Sequence, residues 1–583
     1  MGVYRAENGT AIVLATSDAG RTIAISDEVA SDGSPAVSAF KDVAIVCDHA
    51  GNPYRTEVDA NYSANAKFAV GEDGAGNRTL TSLGTCTYRT AQGPNMGSIS
   101  EGQVFTRTMV ASVHGAAYST LQEAVDAAQA GETVVLLEDV QENVVVPAGK
   151  DVALDLNGRT VAGRASSDDS YINDTITVEG KLAVRDTTAP AAPVVSDDRR
   201  TVSYVAGKIL GKEPTVSPYA KALHIQNGGS ATIESGIVES QDSDAVFVGK
   251  GSILAVEGGY IHGAEFGIGV QGKGATLKMN GGVVVADDNA AIGGNGTEGD
   301  DYGDTSISIS GGTVIGRIEA DGYIACGIYH PQRGKLSIAG GTVYADGGVG
   351  ILMRGGTLEM TDGAVIASGT ASGKVGDSAI VQNCYGVHID GASGYYDGAN
   401  SKATVSGGLV EADAGVPALN LAAPGTMTVR GGTFSSDVTA YLETGRIVTE
   451  NADGMYVVEN DQVATVTKPN GTSVMYDTLS TAVIKARNGD VVTLHKDVPA
   501  GNVKYEIGYS IVLDLNGHSI DGSKYATVSV NKYQGPINVI VKNGTILNST
   551  DGTGEFPFGT AIQVRQDVDL TLENVVVDTS SVA

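Results

Sequence analysis

The sequence contains no tryptophan, and its 583 residues carry only four cysteines and 15 prolines. Four cysteines do not make a disulfide framework, and no C-x-x-C pair offers the usual zinc spacing. Cys47 and Cys86 fall in the N-terminal segment and are candidates to pair. Cys326 and Cys384 sit in similar strand contexts, ACGIYH and NCYGVHID, and read as buried small apolar residues. No stretch approaches the roughly 18 apolar residues of a membrane span. Basic residues are scarce as well: 38 Lys and Arg against 68 Asp and Glu leave a net charge of −30. A surface that acidic repels phosphate backbones and anionic lipid, which argues against nucleic acid and membrane as partners. Its simplest role is to keep a long exposed molecule soluble. The opening residues, MGVYRAENGTAIVLATSD, lack a basic leader, a long apolar segment and a cleavage site. They predict either a protein released by lysis, as virion proteins are, or one whose signal has been trimmed.

What is abundant is glycine, at 79 residues, together with Val, Thr, Ile and Ser. That mixture suggests short strands joined by tight turns, and a hydrophobic content of 42% is ample for a core. Length alone suggests about four globular domains, but a solenoid escapes that rule because each repeat packs only on its neighbours. A repeat is present. The segments ATIESG, LAVEGG, LKMNGG, ISISGG, LSIAGG, LEMTDG, ATVSGG and MTVRGG align on Ile233, Val256, Met279, Ile309, Ile338, Met360, Val405 and Val429. The gaps are 23, 23, 30, 29, 22, 45 and 24 residues, so the unit is about 23 residues, with insertions and one gap of two coils. Every copy has Gly three residues after the reference position, an apolar residue five after and a small residue seven after. Period-2 apolar residues before the Gly make one half-buried strand, and those after it make the next. Coils of this kind stack at about 4.8 Å and align like side chains in ladders. The fold class expected is all-β, a right-handed parallel β-helix.

Residues 1–112 stand outside the register and read as a small all-β domain, suited to attachment, built from runs such as TAIVLAT and DVAIVCD. At Tyr118 the motif YSTLQEAVDAAQAGETVVLLEDV begins, followed by VALDLNGRTV. It recurs from Tyr476 as YDTLSTAVIKARNGDVVTLHKDV, then IVLDLNGHSI. Leu121, Ala124, Val125 and Ala128 space a short amphipathic helix stopped by Gly131, fit to cover the open end of a solenoid. Two tandem solenoids follow, at 113–460 and 466–583, the second still running at LTLENVVVDTSSVA without a visible closing cap.

These motifs resemble the right-handed β-helix repeats of large surface proteins from gut Firmicutes and Actinobacteria. The residues that carry the resemblance are the Y-x-TL…AV run, the LDLNG runs and GGTFSSDVTAYLETGRIVTENADGMYVV at 431–458. In that family the last pattern commonly closes a β-helix, which implies an end near 445–460. The resemblance implies a fold over about 113–583, and adhesin or stalk roles rather than catalysis. Members usually begin with a signal peptide just before the Tyr motif, where this chain has about 110 unrelated residues. A β-helix behind a distinct N-terminal domain is similar in architecture to phage tailspike and fibre proteins.

Enzymes on this scaffold that cut polysaccharides set carboxylates on neighbouring coils of one face. The best such column is Asp287, Asp346, Asp413 and Asp437, interrupted by Arg317 and Ser368. Each Asp follows a small residue and leads into a turn, where it is expected to bond its own backbone. His262, His330 and His388 are scattered and read as inert surface histidines. No catalytic residue is assigned, and the chain is read as a non-enzyme. Two insertions are candidate recognition loops. GASGYYDGANSK supplies Tyr395, Tyr396 and Asp397, which with Tyr302 suit sugar stacking and hydroxyl binding. NGTEGDDYGDT supplies Glu298, Asp300, Asp301 and Asp304 as oxygen ligands for Ca2+. The expected function is a virion fibre or decoration protein. It would dock on capsid or tail proteins through its N-terminal domain and bind host-surface carbohydrate. The alternatives are a bacterial surface adhesin and a tailspike-type polysaccharide lyase or hydrolase. Tailspike β-helices are often trimers, but no coiled-coil segment specifies an oligomer.

Overall fold

The computed structural model describes residues 2–5, 11–14, 23–25, 43–47, 67–74, 76–82, 86–89 and 96–579. Within the last span it omits 165–173, 212–219, 288, 295–303, 318–321, 324–325, 370–372, 375–382, 391–400, 502–503, 523–525, 532–535, 549–559 and 566. The chain is all-β, with long parallel sheets compatible with a β-solenoid. It divides into two compact units, Met1–Thr404 with Gly408–Met427, and Val405–Gly407 with Thr428–Ala583.

In the first unit, seven N-terminal strands pair in a ring in which Gly2–Arg5 meets both Ala11–Leu14 and Val104–Arg107. Downstream the pairing turns parallel and repeats rung by rung. Each rung carries three short strands, such as Ser230–Ile233, Ile237–Ser240 and Val246–Val248. Each strand pairs in register with its successor in Ile253–Val256, Tyr260–Gly263 or Ile268–Val270. The aligned columns are therefore physical ladders: Ala231, Leu254, Leu277, Ile307, Leu336 and Leu358 stand in line, all buried. Alternation drives this, because a strand shows one face to the interior every second residue. Three earlier rungs extend the ladders, with Val134, Leu154 and Val184 in line with Ile233.

One spacing was misleading. The gap between Met360 and Val405 suggests two coils, yet Ala364–Ile366 pair directly with Leu409–Glu411. The chain makes one rung there, not two. Within that span the strand Val387–Ile389 pairs with Ile351–Met353 and Leu419–Leu421.

The duplicated motif folds alike in both units. Thr120 caps helix α1 (Leu121–Ala127) by accepting from the Glu123 N–H, and Thr478 caps α2 (Leu479–Lys485) from Thr481 in the same way. Leu121, Ala124 and Val125 turn inward, as do Leu479, Ala482 and Val483. The helix ends at Ala127, short of Gly131. Gly131 instead holds a positive φ and donates to the Asp151 carbonyl on the next rung. A hairpin precedes each helix and pairs antiparallel with the first rung strand: Ala111–Val113 with Glu132–Leu136, and Ala464–Thr467 with Val491–Leu494. The LDLNG runs are turns between the first two strands of a rung. Asn157 and Asn516 adopt left-handed φ of 47° and 49°. Their side-chain amides donate to the previous rung's carbonyls, Leu136 at 2.9 Å and Leu494 at 3.2 Å. The preceding Asp155 and Asp514 each accept from the Asn backbone N–H at 3.0 Å.

In the second unit, pairing turns antiparallel at Gly432–Phe434, Arg446–Glu450 and Tyr456–Asn460. Parallel rungs then resume through Val491–Leu494, Val512–Asp514, Ile537–Asn548 and Val568–Asp578 around a continuous apolar core.

Candidate functional site

The outward column six residues after the reference position runs Glu239, His262, Val285, Ile315, Tyr344 and Ile366, one residue per rung. Its upper half is charged and its lower half apolar. His262 lies between two carboxylates: Nε2 is 2.7 Å from Asp287 and Nδ1 is 3.8 Å from Glu239. Lys208 closes one end on Glu239 at 3.3 Å, and Arg317 closes the other on Asp287 at 2.7 Å. The Tyr260 ring stacks on His262 at 5.7 Å. Burial alone would lower the His262 pKa, but the bonds to Asp287 and Glu239 outweigh it and raise it to about 9. The same contacts hold both carboxyls below their ordinary values. For Glu239 the His262 hydrogen bond is the main cause; for Asp287 burial works the other way and is overcome by His262 and Arg317.

The apolar half is covered. A hairpin inserted after the strand Lys181–Arg185, with Val194–Val195 paired to Val202–Ser203, sets Val195 and Val202 against Val283, Val285, Ile315 and Tyr344. Arg200 pairs with Asp346 at 2.9 Å, its carbonyl accepts from Arg317 Nη1 at 2.5 Å, and Arg199 lies 5.1 Å from the Tyr344 ring centroid.

A second polar group sits on the ten-stranded sheet. Asp174 bonds His224 Nδ1 at 2.6 Å, Phe247 meets His224 edge-on at 5.2 Å, and Lys221 Nζ lies 5.2 Å from the Phe247 centroid. Asp244, 7% exposed, has its carboxyl pushed up to about 7 by burial; Lys221 opposes the rise while Glu265 and Asp174 add to it. A carboxyl titrating near neutrality has the property a general acid needs, but this one is shut away from solvent.

Of the expected aspartate column, Asp437 does cap its own turn, accepting from Thr439 N–H at 2.8 Å. Asp287 and Asp346 do not. At these rungs the strand or its hydrogen bonding continues through that position, so the side chain meets the neighbouring rung or the hairpin instead. Asp413 accepts from the Gly369 N–H at 2.7 Å, also on another turn of chain. The histidines are not inert surface groups. His330 occupies the inward column in line with Met353 and Ile389, with Nδ1 on the Gly355 carbonyl at 3.0 Å. His388 is buried and accepts from Asn420 at 2.8 Å. Burial holds both below the usual histidine pKa. Cys326 and Cys384 are buried thiols outside any disulfide, and burial pushes the Cys326 thiol up to about 12.

Tyr302, Tyr395, Tyr396, Asp397, Glu298, Asp300 and Asp301 lie outside the described residues. Asp304 is described: exposed, with φ of 61°, immediately before the strand Thr305–Ile309. Among the described residues no three His, Cys, Asp or Glu side chains converge to hold a metal, and no helix is long and apolar enough to cross a membrane. No protein-family model, curated protein or solved structure matches this chain.

Proposed function

We propose that this chain is a non-enzymatic fibre or decoration protein of virion type, displaying a right-handed parallel β-helix for attachment to a host-surface glycan. The β-helix comprises two tandem units, each opened by a short capping helix, with the small N-terminal β-domain docking on capsid or tail proteins. The supporting observation is the continuous succession of parallel rungs from Glu132–Leu136 to Leu409–Glu411. Such stacking makes a stiff, quasi-one-dimensional element whose outward groups are spent on cross-rung ion pairs and packing. Sugar recognition then falls to the insertions at 295–304 and 391–402, with Tyr302, Tyr395, Tyr396 and Asp397 as contacts. Glu298, Asp300, Asp301 and Asp304 would be the ligands for Ca2+ in the first of them.

The test is retention of the purified chain on host envelopes with and without their polysaccharide stripped. Retention only on intact envelopes supports the reading, and equal retention or none contradicts it. The duplicated Tyr and LDLNG motif favours a second reading, a bacterial surface adhesin. Immunogold labelling separates the two, marking particles in the first case and the cell envelope in the second.

A further inference from the structure

The hairpin on the outer face is more than an ornament of one coil. It leaves the strand Lys181–Arg185 and lands on rungs more than a hundred residues downstream. Its root is clamped by one buried carboxylate. Asp186 accepts from the N–H groups of Gly158, Thr188 and Gly207, and its own N–H donates to Ser235 Oγ. Beyond that root its only strand pairing is internal, two residues against two. An isolated two-stranded ribbon is marginal in water, so the hairpin's position depends on what it touches. Its contacts with the rungs are few: Val195 and Val202 on the apolar stripe, Arg200 on Asp346 and Arg317, Arg199 on Tyr344, and, close to the root, Thr187 N–H on Asp155 and the Tyr204 hydroxyl on the Gly236 backbone. Val194 and Val205, by contrast, are 66% and 83% exposed.

The stripe beneath belongs to the parallel sheet and does not need the hairpin to form. Val285, Ile315 and Tyr344 are carried by strands paired on both sides to neighbouring rungs. Three of its members are 0%, 1% and 6% exposed with the hairpin in place. From this combination of a fixed root, a lightly held tip and a pre-formed apolar stripe, we infer that the hairpin at 187–206 is a strap. It lifts as a unit about Asp186 and uncovers the stripe Val283–Val285–Ile315–Tyr344 while the rungs stay intact. The shielded stripe is then a gated surface, hidden in the resting protein and exposed when the latch on Asp346 and Arg317 is released. Local opening of this kind draws on elements with few buried contacts, which describes the hairpin and not the sheet.

Thiol labelling tests it on the full chain. Val285→Cys places a probe under the strap, and Val539→Cys, buried in the second unit, controls for general loosening. Labelling is compared with the unsubstituted chain, in the native background and in one carrying Arg200→Ala and Val202→Asp. The strap account predicts labelling at 285 faster by about tenfold in the latch variant, the order expected for losing a surface ion pair with its packing. Raised salt accelerates labelling at 285 in the native background as well, because the latch is ionic. Labelling at 539 and hydrogen-exchange protection of Tyr260–Gly263 and Val283–Ala286 stay unchanged. Equal rates at 285 in both backgrounds would overturn the proposal. So would loss of strand protection in the latch variant, because the hairpin would then be part of the sheet's stability and not a strap.

Discussion

Glycine at the turn between the first two strands of a rung is required by crowding as well as by backbone angle, and two substitutions separate these causes. Gly282 has φ of +77°, and a Cβ there would lie 2.8 Å from the Gly258 carbonyl oxygen and 2.9 Å from its carbon, on the preceding rung. Gly251 has φ of +69°, but a Cβ there meets nothing within 4 Å. Alanine at either site incurs the left-handed penalty of about 1–2 kcal/mol. Only at 282 must the rungs also part by roughly half an ångström, an overpacking cost of about 1–3 kcal/mol. Gly282→Ala should therefore destabilise its rung by about 1–3 kcal/mol more than Gly251→Ala does, or roughly 5- to 150-fold in an opening equilibrium. Native-state hydrogen exchange of the flanking amides, Thr276–Met279 and Val283–Ala286 for Gly282, Val246–Val248 and Ile253–Val256 for Gly251, reads this locally, which matters in a chain whose units need not unfold together. Equal acceleration by the two substitutions would refute the crowding argument.

Further outcomes follow from the charged groups and caps. His262, raised to about 9, contributes stability that is fully present below the ordinary histidine value of about 6.5 and is lost as pH rises through about 9. An NMR titration of its ring should show that midpoint, and one at or below 6.5 would contradict the ion-pair ladder. Asp244 behaves oppositely, because a carboxyl raised to about 7 penalises the fold increasingly as pH climbs from about 4 to 7. Asp244→Asn should raise thermal stability at pH 8 and not at pH 4, and a loss at pH 8 would count against this. Burial pushes Asp186 up, but the bonds from Gly207, Thr188 and Gly158 hold it below the ordinary carboxylate value. The root it clamps is thus firm above about pH 4 and loosens as pH falls through that lowered value, visible as faster exchange of the Gly207 amide. Thr120→Ala and Thr478→Ala should each cost about 1 kcal/mol, measured by denaturant unfolding, with Ser restoring most of it.

The inward ladders were readable because burial imposes one demand on each position: Ala231, Leu254 and Leu277 are all apolar since all face the same interior. The helix at 121 and its repeat at 479 were readable for the same reason. The outward column was equally periodic, but its chemistry changes along the rod from Glu239 and His262 to Val285 and Ile315, so no single residue class marks it. Reading every sixth residue after the reference would have gathered it. The three earlier rungs ending at Val134, Leu154 and Val184 were hidden by insertions that stretch the spacing. The hairpin's landing on Asp346 and Arg317 has no local signature, because ion pairs across more than a hundred residues depend on stacking that only the folded rungs supply. The extra coil expected between Met360 and Val405 fails since length alone cannot distinguish a second rung from an insertion.

The most direct test of the central claim is to incubate the purified chain with host envelope polysaccharide and measure bound protein and released reducing or unsaturated ends in the same sample. The account predicts saturable binding with no release, and binding reduced by alanine at Tyr395 and Tyr396. Release of oligosaccharide in step with bound protein would contradict it.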